Sequence, residues 1–137
     1  MDAQHPITSL QVAATYKAFP DQVRAKLLGL RHLIFELAAT TPEIGQIKEC
    51  LKWGEVSYLT ISPKSGTTIR FGYRPAAQEY AIFVHCQTTL IETFRSKYPD
   101  DLTFDKNRAI LFKENQDYPT DIMSGFLKAA LTYHFQK

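Results

Sequence analysis

The chain has 137 residues, 45% of them hydrophobic and 22% charged, with 16 basic against 14 acidic side chains and a net charge of +2. That length and balance describe one globular domain able to bury about two-thirds of its unfolded surface, and they exclude wholesale disorder. A pI of 8.5 falls short of the value above ~9 that marks nucleic-acid binders, no apolar run reaches the ~20 residues of a membrane span, and two cysteines without a Cys-x-x-Cys pair exclude a disulfide scaffold.

The expected setting is therefore the cytoplasm, with no nucleic-acid or membrane partner and with Cys50 and Cys86 as buried, reduced thiols. Residues 1–8 read as a frayed start without a charged-then-apolar leader pattern. A short helix is expected from about Ser9 to Ala18. Pro20 and Asp21 then open a long one, since proline suits the first turn and an acid suits the positive end of the dipole. Val23, Leu27, Leu30, Ile34 and Leu37 recur at spacings of four and three, which sets one apolar face; Arg24, Lys26, Arg31 and Glu36 fall largely off it. Pro42 ends this helix by Thr41.

The period then changes to two. Two strands lie between Ile47 and Ile61, broken near Trp53-Gly54, and a turn follows at Lys64 to Gly66. The segment Thr67 to Arg74 is a strand with Ile69, Phe71 and Tyr73 on one face, and after a turn at Pro75 to Gln78 the doubly apolar stretch Glu79 to Cys86 reads as a central strand. Thr89 and Glu92 form a capping-box pattern ahead of a helix that reaches Tyr98, with Leu90, Ile91 and Phe94 inward. Leu102 to Asp105 and Arg108 to Lys113 pair through a tight turn at Lys106-Asn107, and Pro119 opens a last helix with Met123, Phe126, Leu127, Ala130 and Tyr133 in its stripe. Helices segregated from runs of strands define an α+β fold: one mainly antiparallel sheet, a meander plus a C-terminal hairpin, with helices on one face. Residues 1–137 form a single domain.

The chemistry is sparse. No H-x-x-x-H or H-E-x-x-H pair occurs, and no G-x-S-x-G elbow or P-loop. His85 and Cys86 are strand neighbours that point to opposite faces. Asp100, Asp101 and Asp105, or Asp117 and Asp121, offer oxygen ligands whose simpler reading is turn chemistry and capping. Strand phase puts Lys48, Lys52, Arg70, Arg74 and His85 on one side with Cys50 and Phe83, a set suited to an anion or equally to a solvated sheet face. Trp53 is either a wall for ligand stacking or a core aromatic.

Several strings carry a resemblance. Lys52-Trp53-Gly54-Glu55-Val56-Ser57-Tyr58-Leu59-Thr60, His85-Cys86-Gln87-Thr88-Thr89-Leu90, Asn107-Arg108-Ala109-Ile110-Leu111-Phe112 and Ala130-Leu131-Thr132-Tyr133-His134 together resemble the YdhG-like family of small domains, over about Phe19 to His134. Val56 departs from the proline common there. The resemblance implies an α+β domain with a curved antiparallel sheet, and frataxin-like iron chaperoning in some relatives. It adds polar residues at a strand-to-helix junction, where backbone N–H groups favour anions.

The expectation is a module that binds a small anionic ligand through Trp53, Arg70, His85, Gln87, Thr88, Arg95 and Arg108, with no catalytic residue, metal or cofactor. The alternatives are an iron-binding chaperone of frataxin-like type and a homodimeric interaction module; the chain is a monomer or a homodimer.

Overall fold

The computed structural model describes residues 5–135. Helix α1 (Leu10–Ala18) starts at Ser9, whose hydroxyl accepts from the Val12 N–H at 3.2 Å. Helix α2 (Asp21–Thr40) begins directly after Pro20. Four strands follow, β1 (Gln46–Lys52), β2 (Glu55–Ser62), β3 (Ile69–Arg74) and β4 (Glu79–Phe83), then α3 (Leu90–Lys97), β5 (Thr103–Asp105), β6 (Ala109–Lys113) and α4 (Thr120–Leu131). All pairings are antiparallel, and the six strands lie in the order β1-β2-β3-β4-β6-β5. The fold is thus α+β, a meander closed by a hairpin whose second strand joins β4.

One row of cross-strand partners, Val56, Phe71, Ile82 and Ile110, is fully buried. It packs in one cluster with Val12 of α1, Leu27 and Ile34 of α2, and Phe126 and Leu127 of α4. Burying side chains of this size stabilises by roughly 1.5–3 kcal/mol each. A one-residue slip would turn the whole row outward, so this row fixes the register. The opposite face carries Arg70 beside Phe83, Gly72 beside Ala81 and Arg74 beside Glu79.

Four sequence expectations need correction. Arg31 is not off the buried face of α2 but 1% exposed. Its Nε and Nη2 donate to the two Glu49 oxygens at 2.5 and 3.0 Å, and its guanidinium lies 4.8 Å above the Phe35 ring. Glu49 sits on the core face of β1 because it is the register partner of Tyr58. The Tyr58 hydroxyl donates to Glu49 at 2.7 Å and meets that of Tyr16 at 2.5 Å. The start is pinned from His5 on: the His5 ring stacks on Phe35 at 5.1 Å, and its carbonyl accepts from Arg31. The fraying expected for residues 1–4 lies outside the described residues. Thr89 forms no side-chain cap. Neither cysteine is buried: Cys50 is half-buried on edge strand β1, and Cys86 is exposed because β4 ends at Phe83.

Candidate functional site

The last carbonyls of α4 have no helical partners of their own, and the segment before β3 supplies some. The Ser65 hydroxyl lies 3.0 Å from Leu131 O and 3.2 Å from Ile44 O, and the Thr67 N–H donates to Ala130 O at 2.9 Å. In return the His134 N–H donates to Ser65 O at 2.8 Å. Gly66 permits the approach, since a Cβ there would stand 2.5 Å from Leu131 O. This docking sets Thr67 beside Tyr133 and His134.

The other wall comes from the end of β4. The Val84 N–H still donates to Arg108 O at 2.8 Å, and then the chain turns sharply. Both the backbone N–H and the hydroxyl of Thr88 donate to His85 O, at 3.1 and 2.8 Å. The Gln87 N–H donates to His85 Nδ1 at 3.1 Å, which leaves the proton of the neutral ring on Nε2. The Thr89 N–H, just ahead of α3, donates to the Tyr133 hydroxyl at 3.0 Å. The turn therefore leans on the end of α4 at the positive end of the α3 dipole.

Between the walls lies a hollow of about 310 Å³ lined by Thr67, His85, Gln87, Thr88, Tyr133 and His134. None of the six is acidic. Thr67 is only 6% exposed. The hollow unites His85, Gln87 and Thr88 of the expected site. Sequence reasoning missed Thr67, whose place depends on a contact 63 residues along the chain (130 − 67); Tyr133 and His134 stand in the string Ala130 to His134 that carries the family resemblance.

The other expected residues do not line it. Trp53 projects from the β1–β2 turn, 88% exposed, so the core-aromatic reading is overturned. Trp53 and Gly54 both have positive φ, 56° and 77°, as a type I′ hairpin turn requires, and that geometry throws the indole outward. The pairing of β2, β3 and β4 puts this turn at the end of the sheet opposite His85. Arg70 Nε lies 3.2 Å from Glu55 Oε1, at an angle too poor for a hydrogen bond. Arg74 donates to Asp105 at 2.8 Å, and Arg108 lies 3.6 Å from the same carboxylate. Arg70 and Arg74 both reach the Phe83 ring. Arg95 donates to Asn107 Oδ1 at 3.3 Å and to the Lys106 carbonyl, and stacks on Phe104. Each of these cations is thus engaged on its own surface.

The carboxylates respond in opposite directions. The hydrogen bond from Arg74, with the attraction of Arg74 and Arg108, holds Asp105 below the usual carboxylate range. Burial pushes Glu55 up in spite of the nearby arginines. Among the described residues no group of three or more His, Cys, Asp or Glu is placed to hold a metal ion. Comparisons with protein-family models, curated proteins and solved structures find no match to the chain.

Proposed function

We propose that the protein is a binding module for a small anionic molecule, seated in the hollow between β4, α3 and α4. The observation that carries this reading is the convergence of His85, Gln87, Thr88, Thr67 and His134 on one hollow without a carboxylate, at the N-terminal end of a helix. The imidazoles of His85 and His134 and the side-chain amide of Gln87 supply donors in several directions, as an oxyanion needs, while the Thr88 hydroxyl is taken up by His85 O. In this reading Trp53, Arg70, Arg95 and Arg108 belong to the surrounding surface. The YdhG-like resemblance is compatible with such a module. Among the described residues no helix is long and apolar enough to cross a membrane, and both cysteines are free, which supports a cytoplasmic setting for the ligand.

Titration of the protein with inorganic phosphate, followed by backbone amide NMR, tests the reading. Saturable shifts confined to residues 66–68, 85–91 and 132–134 are expected. His85→Ala together with His134→Ala should weaken binding by about tenfold or more, the equivalent of losing one charge-assisted hydrogen bond. Absence of saturable shifts with phosphate and with small carboxylates at millimolar concentration would sink it.

A further inference from the structure

The hollow does not end at Tyr133. A second cavity of about 450 Å³ runs between α3 and α4 and shares Gln87 and Tyr133 with the first. Its other walls are Leu90 and Phe94 of α3 and Ala129 of α4, with Thr89 and Thr93 also lining it. Leu90 is 4% and Phe94 8% exposed, so the apolar wall is set by the core. Phe94 packs edge-on against Phe126 at 5.1 Å and at a tilt of 37° against Tyr98 at 5.8 Å, which holds its ring in place. No acidic residue lines either cavity.

We propose that the ligand is an amphipathic anion. Its acidic head sits among His85, Gln87, Thr88 and His134, and a short apolar tail, about the size of one ring, lies along Leu90, Phe94 and Ala129. This rests on the anion-binding reading above. Three features support it together. The two cavities share Gln87 and Tyr133 as lining residues, which sets them side by side. Their residues differ: the first has two imidazoles and two threonines, whereas the second adds Leu90, Phe94 and Ala129 to Thr89 and Thr93. The second cavity, of about 450 Å³, lies within the roughly 300–1,000 Å³ of small-molecule sites. A purely polar ligand would leave Phe94 and Ala129 uncontacted; a purely apolar one would leave the imidazoles unused.

Acetate, phenylacetate and benzyl alcohol separate head from tail. With the full chain, phenylacetate should shift the amides of Leu90, Thr93, Phe94 and Ala129 as well as those of 85–88 and 134. It should bind at least about tenfold more tightly than acetate, the gain from burying a phenyl ring. Ala129→Leu, which narrows the groove from α4, should remove that advantage and leave acetate affinity unchanged. Thr93→Phe narrows it from the exposed side of α3 and gives the same readout should Ala129→Leu fold poorly. Equal affinity for acetate and phenylacetate would overturn the two-part ligand and leave the anion site standing. Benzyl alcohol binding as tightly as phenylacetate would overturn the acidic head. Failure of all three probes and of phosphate to bind would overturn both readings.

Discussion

Two of the polar clusters among the described residues make an instructive contrast. Under α1 and α2, Arg31, Glu49, Tyr58 and Tyr16 form a buried chain in which both carboxylate oxygens accept and the guanidinium donates to Glu49 and to the His5 carbonyl. At the end of β4, Thr67, His85, Gln87, Thr88 and His134 surround open space. The first cluster has the larger charges and satisfies them internally. The second has smaller dipoles and leaves them facing a cavity. A ligand is expected where polar groups stay available, not where charge is greatest.

The largest effect expected of this contrast is on stability. Glu49→Ala leaves a buried guanidinium without its anion, and we expect a loss of about 3–5 kcal/mol in urea unfolding. Replacing both partners, Arg31→Met with Glu49→Leu, should recover most of it. Gln87→Ala, in the open cluster, should change stability by no more than about 0.5 kcal/mol. A Glu49→Ala cost below about 1 kcal/mol would show that the network is solvated and erase the distinction.

The floor of the open cluster is more demanding than its walls. Gly66→Ala brings a methyl group to within 2.5 Å of Leu131 O and 2.6 Å of Ala130 O, both backbone atoms that cannot swing aside. A loss of about 1–3 kcal/mol is expected from such overpacking, with weaker phosphate binding as Thr67 moves. Wild-type stability and affinity in this variant would mean that the docking of residues 65–67 on α4 does not shape the hollow.

The same contrast explains what was legible in the sequence. Alternation exposed β3 and β4 and their faces, because Ile69, Phe71 and Tyr73 obey a period of two that one buried face imposes. Spacing exposed α2, and Pro20 and Pro119 marked helix starts. Arg31 was misplaced because a helical period reports apolar residues, whereas its burial depends on a carboxylate 18 positions later. Cys86 was misplaced because the apolar run outlasts β4, which ends at Phe83 while Val84 is still buried, so an exposed loop residue looked like strand. His85, Gln87 and Thr88 were legible as a junction through their adjacency. Thr67 was not, since no local pattern announces a residue brought in by the end of another helix.

Alkaline pH probes the buried phenols, Tyr16 and Tyr58 in the closed cluster and Tyr80 outside it, where its hydroxyl donates to Gln116 O. Burial pushes Tyr16, Tyr58 and Tyr80 above the ordinary phenol value. Unfolded phenols ionise near about 10, so above that pH the native state binds more protons than the unfolded one and stability falls as pH rises. The stabilisation these groups contribute is complete below about 10 and is lost toward their raised folded values, at up to roughly 1.4 kcal/mol per pH unit for each phenol. Urea unfolding between about pH 9 and 11 should show this slope, and Tyr80→Phe should make it shallower. A slope unchanged by Tyr80→Phe would mean that its phenol ionises equally in both states.

The smallest effect concerns Trp53. A bulky side chain at a φ of 56° is strained, and this indole gains little from packing because it is 88% exposed. Asparagine tolerates positive φ, and Asn-Gly is the favoured pair in a type I′ turn. Trp53→Asn should therefore raise stability by up to about 1 kcal/mol, read as a higher urea midpoint at unchanged slope. Because the turn lies at the far end of the sheet from His85, phosphate affinity should not change. A variant that gained stability but lost binding would tie the indole to the ligand after all, and the polar hollow would then be only part of the site.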